Sequence, residues 1–331
     1  MNGHARLLSP ALVVFALVFL AATAGAGATA TPTRTAVAVP AQGAYLGAYV
    51  QSSHWTQTAQ QVATFEATIG RKLAIDNQFY SWTEGFPTPL QREDRDAGRL
   101  SMITWKSPRL DQINSGSQDA LITARADAVR DFGTPVFIRW AWEMNGNWSA
   151  WSGTNNDSYG RHDGAAKYVR AWRRIHDIFE REGATNVSWV WAPNAESIPD
   201  VYWNRVSAFY PGDRYVDWVG LSAYNFGTTR YWSHWSSFSE IVRPIYRVYA
   251  ARKPIMVAET ASTTSGGNQP RWISAVLTAL RAQYPRIKAV VWFEHPPEWS
   301  VRSSTRSLSA FRVIAAASLF SPAPNVGSSG N

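Results

Sequence analysis

The chain has 331 residues, 45% of them hydrophobic, with a net charge of +8 and no cysteine. That length supports a substantial core without disulfides, and the missing thiols exclude thiolate catalysis and cysteine–metal ligation. The basic residues are scattered with no run of five or more, so the charge points to no nucleic-acid partner.

The N-terminus reads as an export signal. Arg6 precedes the apolar run Ala11 to Ala22, and Ala-x-Ala sites follow at Ala24/Ala26, Ala26/Ala28 and Ala28/Ala30. The apolar core is short of the roughly 20 residues that a membrane span needs, so residues 1–30 are expected to be cleaved. The expected product is a secreted protein without a membrane anchor. Residues 31–42 read as a linker, 43–320 as one domain without internal repeats, and 321–331 as a disordered tail.

Within the domain, strand-like and helix-like segments alternate. Eight short apolar runs read as buried parallel strands: Ala44–Val50, Leu73–Tyr80, Leu100–Trp105, Val136–Trp142, Val187–Ala192, Trp218–Tyr224, Ile255–Ala258 and Ala289–Phe293. Helical stripes lie between several of them, such as Val62/Phe65/Ile69 and Val169/Trp172/Ile175/Phe179. The connections after the second and fifth strands are less clearly helical. Eight such units predict an α/β fold, a single (β/α)8 barrel. A doubly wound open sheet is the alternative, but the turn after the first strand, Tyr49 to His54, lacks its Gly-rich phosphate loop.

Two carboxylates stand where a barrel carries its chemistry. Glu143 follows the fourth apolar run and Glu259 the seventh, and a carboxylate beside buried apolar sequence is costly unless paired or used. Strand alternation places Arg139, Ala141 and Glu143 on one face, and Ile255, Val257 and Glu259 on another, so that both glutamates face the barrel mouth. One carboxyl that protonates a leaving group and another that attacks the anomeric carbon make a retaining glycosidase. Tryptophan, at 17 residues, supports a sugar ligand. Trp55, Trp82, Trp148, Trp151, Trp203, Trp232, Trp235 and Trp299 all sit among polar neighbours, as stacking faces for sugar rings do.

The segment Arg139 to Gly153, reading Arg-Trp-Ala-Trp-Glu-Met-Asn-Gly-Asn-Trp-Ser-Ala-Trp-Ser-Gly, resembles the acid/base signature of glycoside hydrolase family 26. That family holds β-mannanases, with some β-1,3-1,4-glucanases and β-1,3-xylanases. The resemblance implies Glu143 as acid/base and Glu259, in Val-Ala-Glu-Thr, as nucleophile. It further implies that Tyr224 contacts the nucleophile, Trp292 forms a floor beneath the reacting sugar, and Trp148 and Trp151 flank the cleft. The usual form, Arg-Pro-x-His-Glu-Met-Asn-Gly, has histidine where this chain has Trp142, which alters the donors beside the cleaved bond. The resemblance therefore implies a β-1,4-mannan with only a modest lead over mixed-linkage glucan or β-1,3-xylan.

Other candidates to line the mouth are Arg139, Trp142, Asn145, Trp105, Asn194, Asp76 and Tyr80, with Glu294 paired to an arginine. His54 and His295 have no metal-ligand spacing, and no Gly-x-Ser-x-Gly elbow is present, so neither a metal, a cofactor nor a serine triad is expected. The expected partner is a polysaccharide, bound by a monomer. A non-catalytic glycan-binding protein on the same barrel is the rival of a different class.

Overall fold

The computed structural model describes residues 1, 3, 35–51 and 57–324; residues 2 and 4–30 of the expected signal segment, His54, Trp55 and residues 325–331 of the expected tail lie outside these. Residues Thr33–Asn331 make one compact unit, while only Met1 and Gly3 are described in the unit Met1–Pro32. The larger unit alternates strands and helices: β1 (Ala44–Val50), α1 (Ala59–Ile69), β2 (Ile75–Tyr80), α2 (Pro89–Asp96), β3 (Leu100–Trp105), α3 (Leu110–Asn114), α4 (Asp119–Phe132), β4 (Val136–Trp140), α5 (Gly164–Arg181) and β5 (Val187–Trp191). There follow β6 (Trp218–Asn225), α6 (Phe238–Tyr249), β7 (Ile255–Ser262), α7 (Gln269–Ala282), β8 (Ile287–Glu294), α8 (Thr305–Ala315) and the two-residue β9 (Phe320–Ser321). Each of the first eight strands pairs in parallel with its neighbour, and β1 pairs with both β8 and β2, which closes the (β/α)8 barrel.

The weak connections foreseen after β2 and β5 differ in outcome. After β2, Thr88 caps a short helix through a capping box with Gln91, and Pro89 fits its first turn. After β5 the described chain makes only single 3-10 turns between Tyr202 and Tyr215. That stretch carries Pro199, Pro211 and Gly212 and no apolar stripe to hold a helix against the barrel.

Two packed layers carry the fold. Outward-facing residues such as Leu46, Ile103, Ile138, Leu221, Val257 and Val290 meet the helices, while Tyr45, Ile75, Met102, Phe137, Val190, Trp218, Met256 and Val291 fill the barrel interior. The interior is thus a packed core that leaves room for chemistry only at its upper end. Gly220 serves this packing: a Cβ there would lie 2.8 Å from the Ala192 Cβ.

Both expected flanks are partly structural. Val37, within the presumed linker, is buried in the interior core, and its amide donates to Ser188 Oγ at 2.8 Å. Thr35 N donates to Thr185 O, and the Tyr45 hydroxyl to Ala38 O. Residues from 35 onward therefore cap the lower end of the barrel, which would otherwise expose apolar side chains to water. At the other flank Ser321 pairs with Tyr45, and Arg71 donates to the carbonyls of Ala315 and Phe320, so the domain runs past residue 320.

Candidate active site

The backbone breaks strand alternation at both glutamates. Strand β4 ends at Trp140, and the chain then takes left-handed conformations at Ala141 (φ 46°) and Glu143 (φ 56°). Such conformations are unfavourable for residues with a Cβ and persist where surrounding contacts impose them. Here Ala141 N donates to Trp105 O and Glu143 N to Ala192 O at 2.8 Å, anchoring the turn to β3 and to the end of β5. Ala141 packs into the outer core rather than facing inward beside Arg139. Glu143 is therefore delivered to the mouth by a strained turn, not by the pleat of β4.

In β7 the cause is a bulge. Leu221 of β6 pairs with Val257, but Ser222 pairs with Glu259, so Ala258 is the extra residue. Met256 and Ala258 face the interior, whereas Ile255 and Val257 belong to the outer core. Without the bulge, Glu259 would follow Ile255 and Val257 outward; with it, the carboxylate turns inward. The strand also continues to Ser262, which places Glu259 within β7 rather than at its end.

Around Glu259 the donors converge. Arg139, fully buried, bonds Glu259 Oε1 through Nη1 and donates from Nη2 to Ser222 Oγ at 2.9 Å. The Tyr224 hydroxyl donates to Oε2 at 2.5 Å. A buried carboxylate thus has a cation on one oxygen and a phenol on the other, two partners that fix its orientation. Burial and the Glu259 charge push the Tyr224 phenol well up, so it stays a donor.

Glu143 is treated differently. Its pKa is raised to about 7, chiefly by desolvation and then by the negative charge of Glu259, against the lowering influence of Arg139 and of hydrogen bonds from Ser222 and Trp148. The Trp148 indole N–H donates to Glu143 Oε2 at 3.1 Å, and its ring is 48% exposed, leaving a free face beside the acid. Gly146 makes room for that ring, since a Cβ there would lie 2.4 Å from its carbons. Glu143 and Glu259 thus share one mouth in different surroundings, linked through Ser222 and its partner Arg139.

An aromatic collar surrounds them. Tyr49 packs against Phe79 (4.8 Å) and Phe293 (5.1 Å), Phe79 against Trp142 (5.3 Å), and Phe293 against Tyr224 (5.7 Å). Trp299 adds a contact to Tyr224 at 5.1 Å. The Arg139 guanidinium lies 5.4 Å from the Trp142 ring centroid. Trp151 donates its N–H to Trp142 O and is almost fully buried, so it braces Trp142 instead of offering a free face.

Several expected sugar contacts lie elsewhere. Trp292 points outward from β8, packing on Trp272 (6.1 Å) and Phe311 (4.9 Å); Phe293, one residue on, is the side chain that faces the mouth. Trp105 also points outward, stacked on Trp82 at 4.4 Å. Asn145 is fully buried: its Nδ2 donates to the carbonyls of Asn194 and Glu196, and its Oδ1 accepts from Asn194 N at 2.8 Å. The Asn194 side chain in turn donates to Glu196 O. Both asparagines brace the loop after β5. Asp76 and Tyr80 lie in a buried outward network with Gln78, Gln91, Asp94 and Arg99, and Glu294 pairs with Arg302 at 2.9 Å. Ser222 escaped the sequence reading, although it lies two residues before Tyr224 on the same face of β6. Tyr49, Phe79 and Phe293 carry no sequence signal that sets them apart from the other aromatic residues of their strands.

The family model of Glycosyl hydrolase family 26 matches residues 82–312, which include both glutamates. This chain belongs to that family. Among its relatives, Endoglucanase H of Acetivibrio thermocellus is 34% identical over 279 residues, 82% of this chain but 30% of that protein. A mannan endo-1,4-beta-mannosidase of Bacillus subtilis strain 168 is 28% identical over 218 residues, 65% of this chain and 52% of that one. The chain thus spans about a third to a half of the length of these two relatives. The solved catalytic domain of a Bacillus sp. JAMB-750 GH26 endo-beta-1,4-mannanase shares the fold with a TM-score of 0.63 at 17% identity, covering 84% of this chain and 87% of that one.

Proposed function

We propose that this family 26 hydrolase cleaves a β-linked polysaccharide internally with retention of anomeric configuration. The observation that carries this reading is the contrast at the mouth: Glu143 raised to about 7, and Glu259 held between Arg139 and Tyr224. In the first step Glu143 gives its proton to the glycosidic oxygen as the C1–O bond breaks, and Glu259 forms a bond to C1. In the second step Glu143 takes a proton from water, whose oxygen displaces Glu259 and releases the sugar with its original configuration. Arg139 and Ser222 hold the nucleophile, and Trp148 orients the acid.

The first substrate reading is β-1,4-mannan, supported by the mannanases among its relatives. A second reading, a β-glucan, is favoured by two observations. Trp142, held between Phe79 and Trp151, puts an apolar ring where the family usually presents a histidine, and the 34% identical relative is an endoglucanase. Reducing-sugar release from mannan, glucomannan, mixed-linkage β-glucan, β-1,3-xylan and β-1,4-xylan, with Glu259→Ala beside the wild type, tests both. Release lost in the variant supports the mechanism and names the glycan, whereas equal release from both proteins overturns it. Export belongs to this reading too; a protein retained inside the cells with its N-terminus still at Met1 would contradict it.

A further inference from the structure

The nucleophile side of the mouth continues into an aromatic track that the two-glutamate chemistry does not use. From Tyr224, which holds Glu259, ring contacts run to Phe226 (5.8 Å) and then to Trp232 (5.3 Å), with Trp299 joined to both Tyr224 (5.1 Å) and Phe226 (5.2 Å). Exposure rises from Tyr224 and Phe226, both half-buried, to Trp232, which is 52% exposed, while Trp299 is buried against both of the inner rings. A half-exposed indole at the end of a buried aromatic series presents an open apolar face continuous with the active site.

The loop that carries Trp232 is fixed in place. Thr228 and Ser265 hydroxyls hydrogen-bond at 2.8 Å, and Thr228 N donates to Ser265 O, which ties the β6–α6 loop to the β7–α7 loop. Gly227 permits this approach, since a Cβ there would sit 1.9 Å from Ser265 O. Ser233 Oγ donates to Gly227 O at 2.7 Å, closing the loop upon itself across Trp232. Trp235 lies on Gly267, where a Cβ would meet its ring at 2.3 Å, and Arg230 pairs with Glu298. The part of the Trp232 ring held out to water on this braced loop adds nothing to its packing on Phe226, but it binds a flat ligand with little ordering cost.

We propose that Trp232 is a sugar-stacking subsite for a residue of the same polysaccharide chain, lying beyond the sugar that reacts at Glu259. The occupant follows from continuity: the track begins at Tyr224, which bonds Glu259, and runs outward through Phe226 to Trp232. The proposal rests on the glycosidase reading and deepens it, because a distal stacking site makes the enzyme favour long chains.

The test compares kcat/KM for a homologous series of oligosaccharides, from trisaccharide to hexasaccharide, of whichever glycan the wild type cleaves. Trp232→Ala should lower the hexasaccharide-to-trisaccharide ratio about tenfold, and Trp232→Phe should restore most of it. Circular dichroism checks that the Trp232→Ala variant folds. An unchanged ratio in Trp232→Ala, with the wild type active, overturns the subsite alone. A folded wild type that cleaves no glycan in the panel, and binds none when followed by tryptophan fluorescence, overturns the glycosidase reading and the subsite with it.

Discussion

Arg139 on β4 and Glu259 on β7, 120 residues apart in sequence, meet as a buried ion pair whose second guanidinium nitrogen is taken by Ser222. A fully buried guanidinium with a fixed carboxylate partner is as much an orienting device as a stabilising one. Removing the cation leaves the carboxylate with only a phenol. Arg139→Met is expected to destabilise the fold by about 3–5 kcal/mol, as breaking one side of a buried pair does. It should also lower kcat/KM on the order of a hundredfold or more. Arg139→Lys should fail to restore either, because an ammonium cannot reach Glu259 and Ser222 as a fork. Urea unfolding and steady-state kinetics on the two variants measure both expectations.

On the proposed mechanism, the protonation state of Glu143 sets the alkaline limit of activity. Its carboxyl must carry a proton to act on the leaving group, and its pKa is raised to about 7, so kcat/KM should fall as pH rises through that value. The second cause of the shift is the Glu259 charge, so Glu259→Gln should lower the Glu143 pKa, as infrared titration of the inactive variant would show. The sign for stability follows from linkage. A carboxyl whose folded pKa lies above its ordinary 4.5 is favoured when protonated; its contribution is complete below about 4.5 and is lost as pH climbs through about 7. At 1.36 kcal/mol per unit this amounts to roughly 3 kcal/mol. Glu143→Gln escapes that loss, so its melting temperature should exceed the wild type's above pH 7 and match it near pH 4. A melting difference independent of pH would contradict the assignment.

Trp148 separates orientation from stacking. Its N–H donates to Glu143 and lowers the acid's pKa. Trp148→Phe keeps a ring and loses the donor, so the alkaline limb of the pH–rate profile should move upward while KM changes little. Gly146→Ala attacks the same contact from below, because the added Cβ would overlap the indole. It should lower kcat while circular dichroism stays native. An unmoved alkaline limb in Trp148→Phe would mean that the hydrogen bond does not tune the acid.

The barrel and the meeting of two carboxylates at its mouth were legible because strand runs are apolar and a glutamate among them is conspicuous. The route by which those carboxylates reach the mouth was not. Uniform alternation predicts Ala141 and Val257 on the inner face, and both lie in the outer layer. The inward turn of Glu143 depends on two left-handed residues, and that of Glu259 on one extra residue at Ala258. Neither device has a glycine or proline to announce it: the sequence there reads Ala-Trp-Glu and Val-Ala-Glu. Active sites often rest on such local exceptions, which tertiary contacts impose. The same limit misplaced Trp292. Where Val290, Val291, Trp292 and Phe293 are all apolar, pattern alone does not tell the outer face of a strand from the inner.

That last misplacement carries its own prediction. Trp292 is 2% exposed between β8 and the helices, against Trp272 and Phe311. Truncation there opens a cavity in the outer core, remote from the sugar. Trp292→Ala should therefore destabilise the protein by about 3–5 kcal/mol, while the fraction that stays folded keeps KM and the pH profile of the wild type. Phe293→Ala should behave in the opposite way. Its ring faces the mouth and touches Tyr49 and Tyr224, so substrate affinity and kcat should fall more than stability does. Denaturant unfolding and oligosaccharide kinetics on the two single variants separate the faces of β8. Catalytic loss from Trp292→Ala without loss of stability would return that tryptophan to the sugar floor.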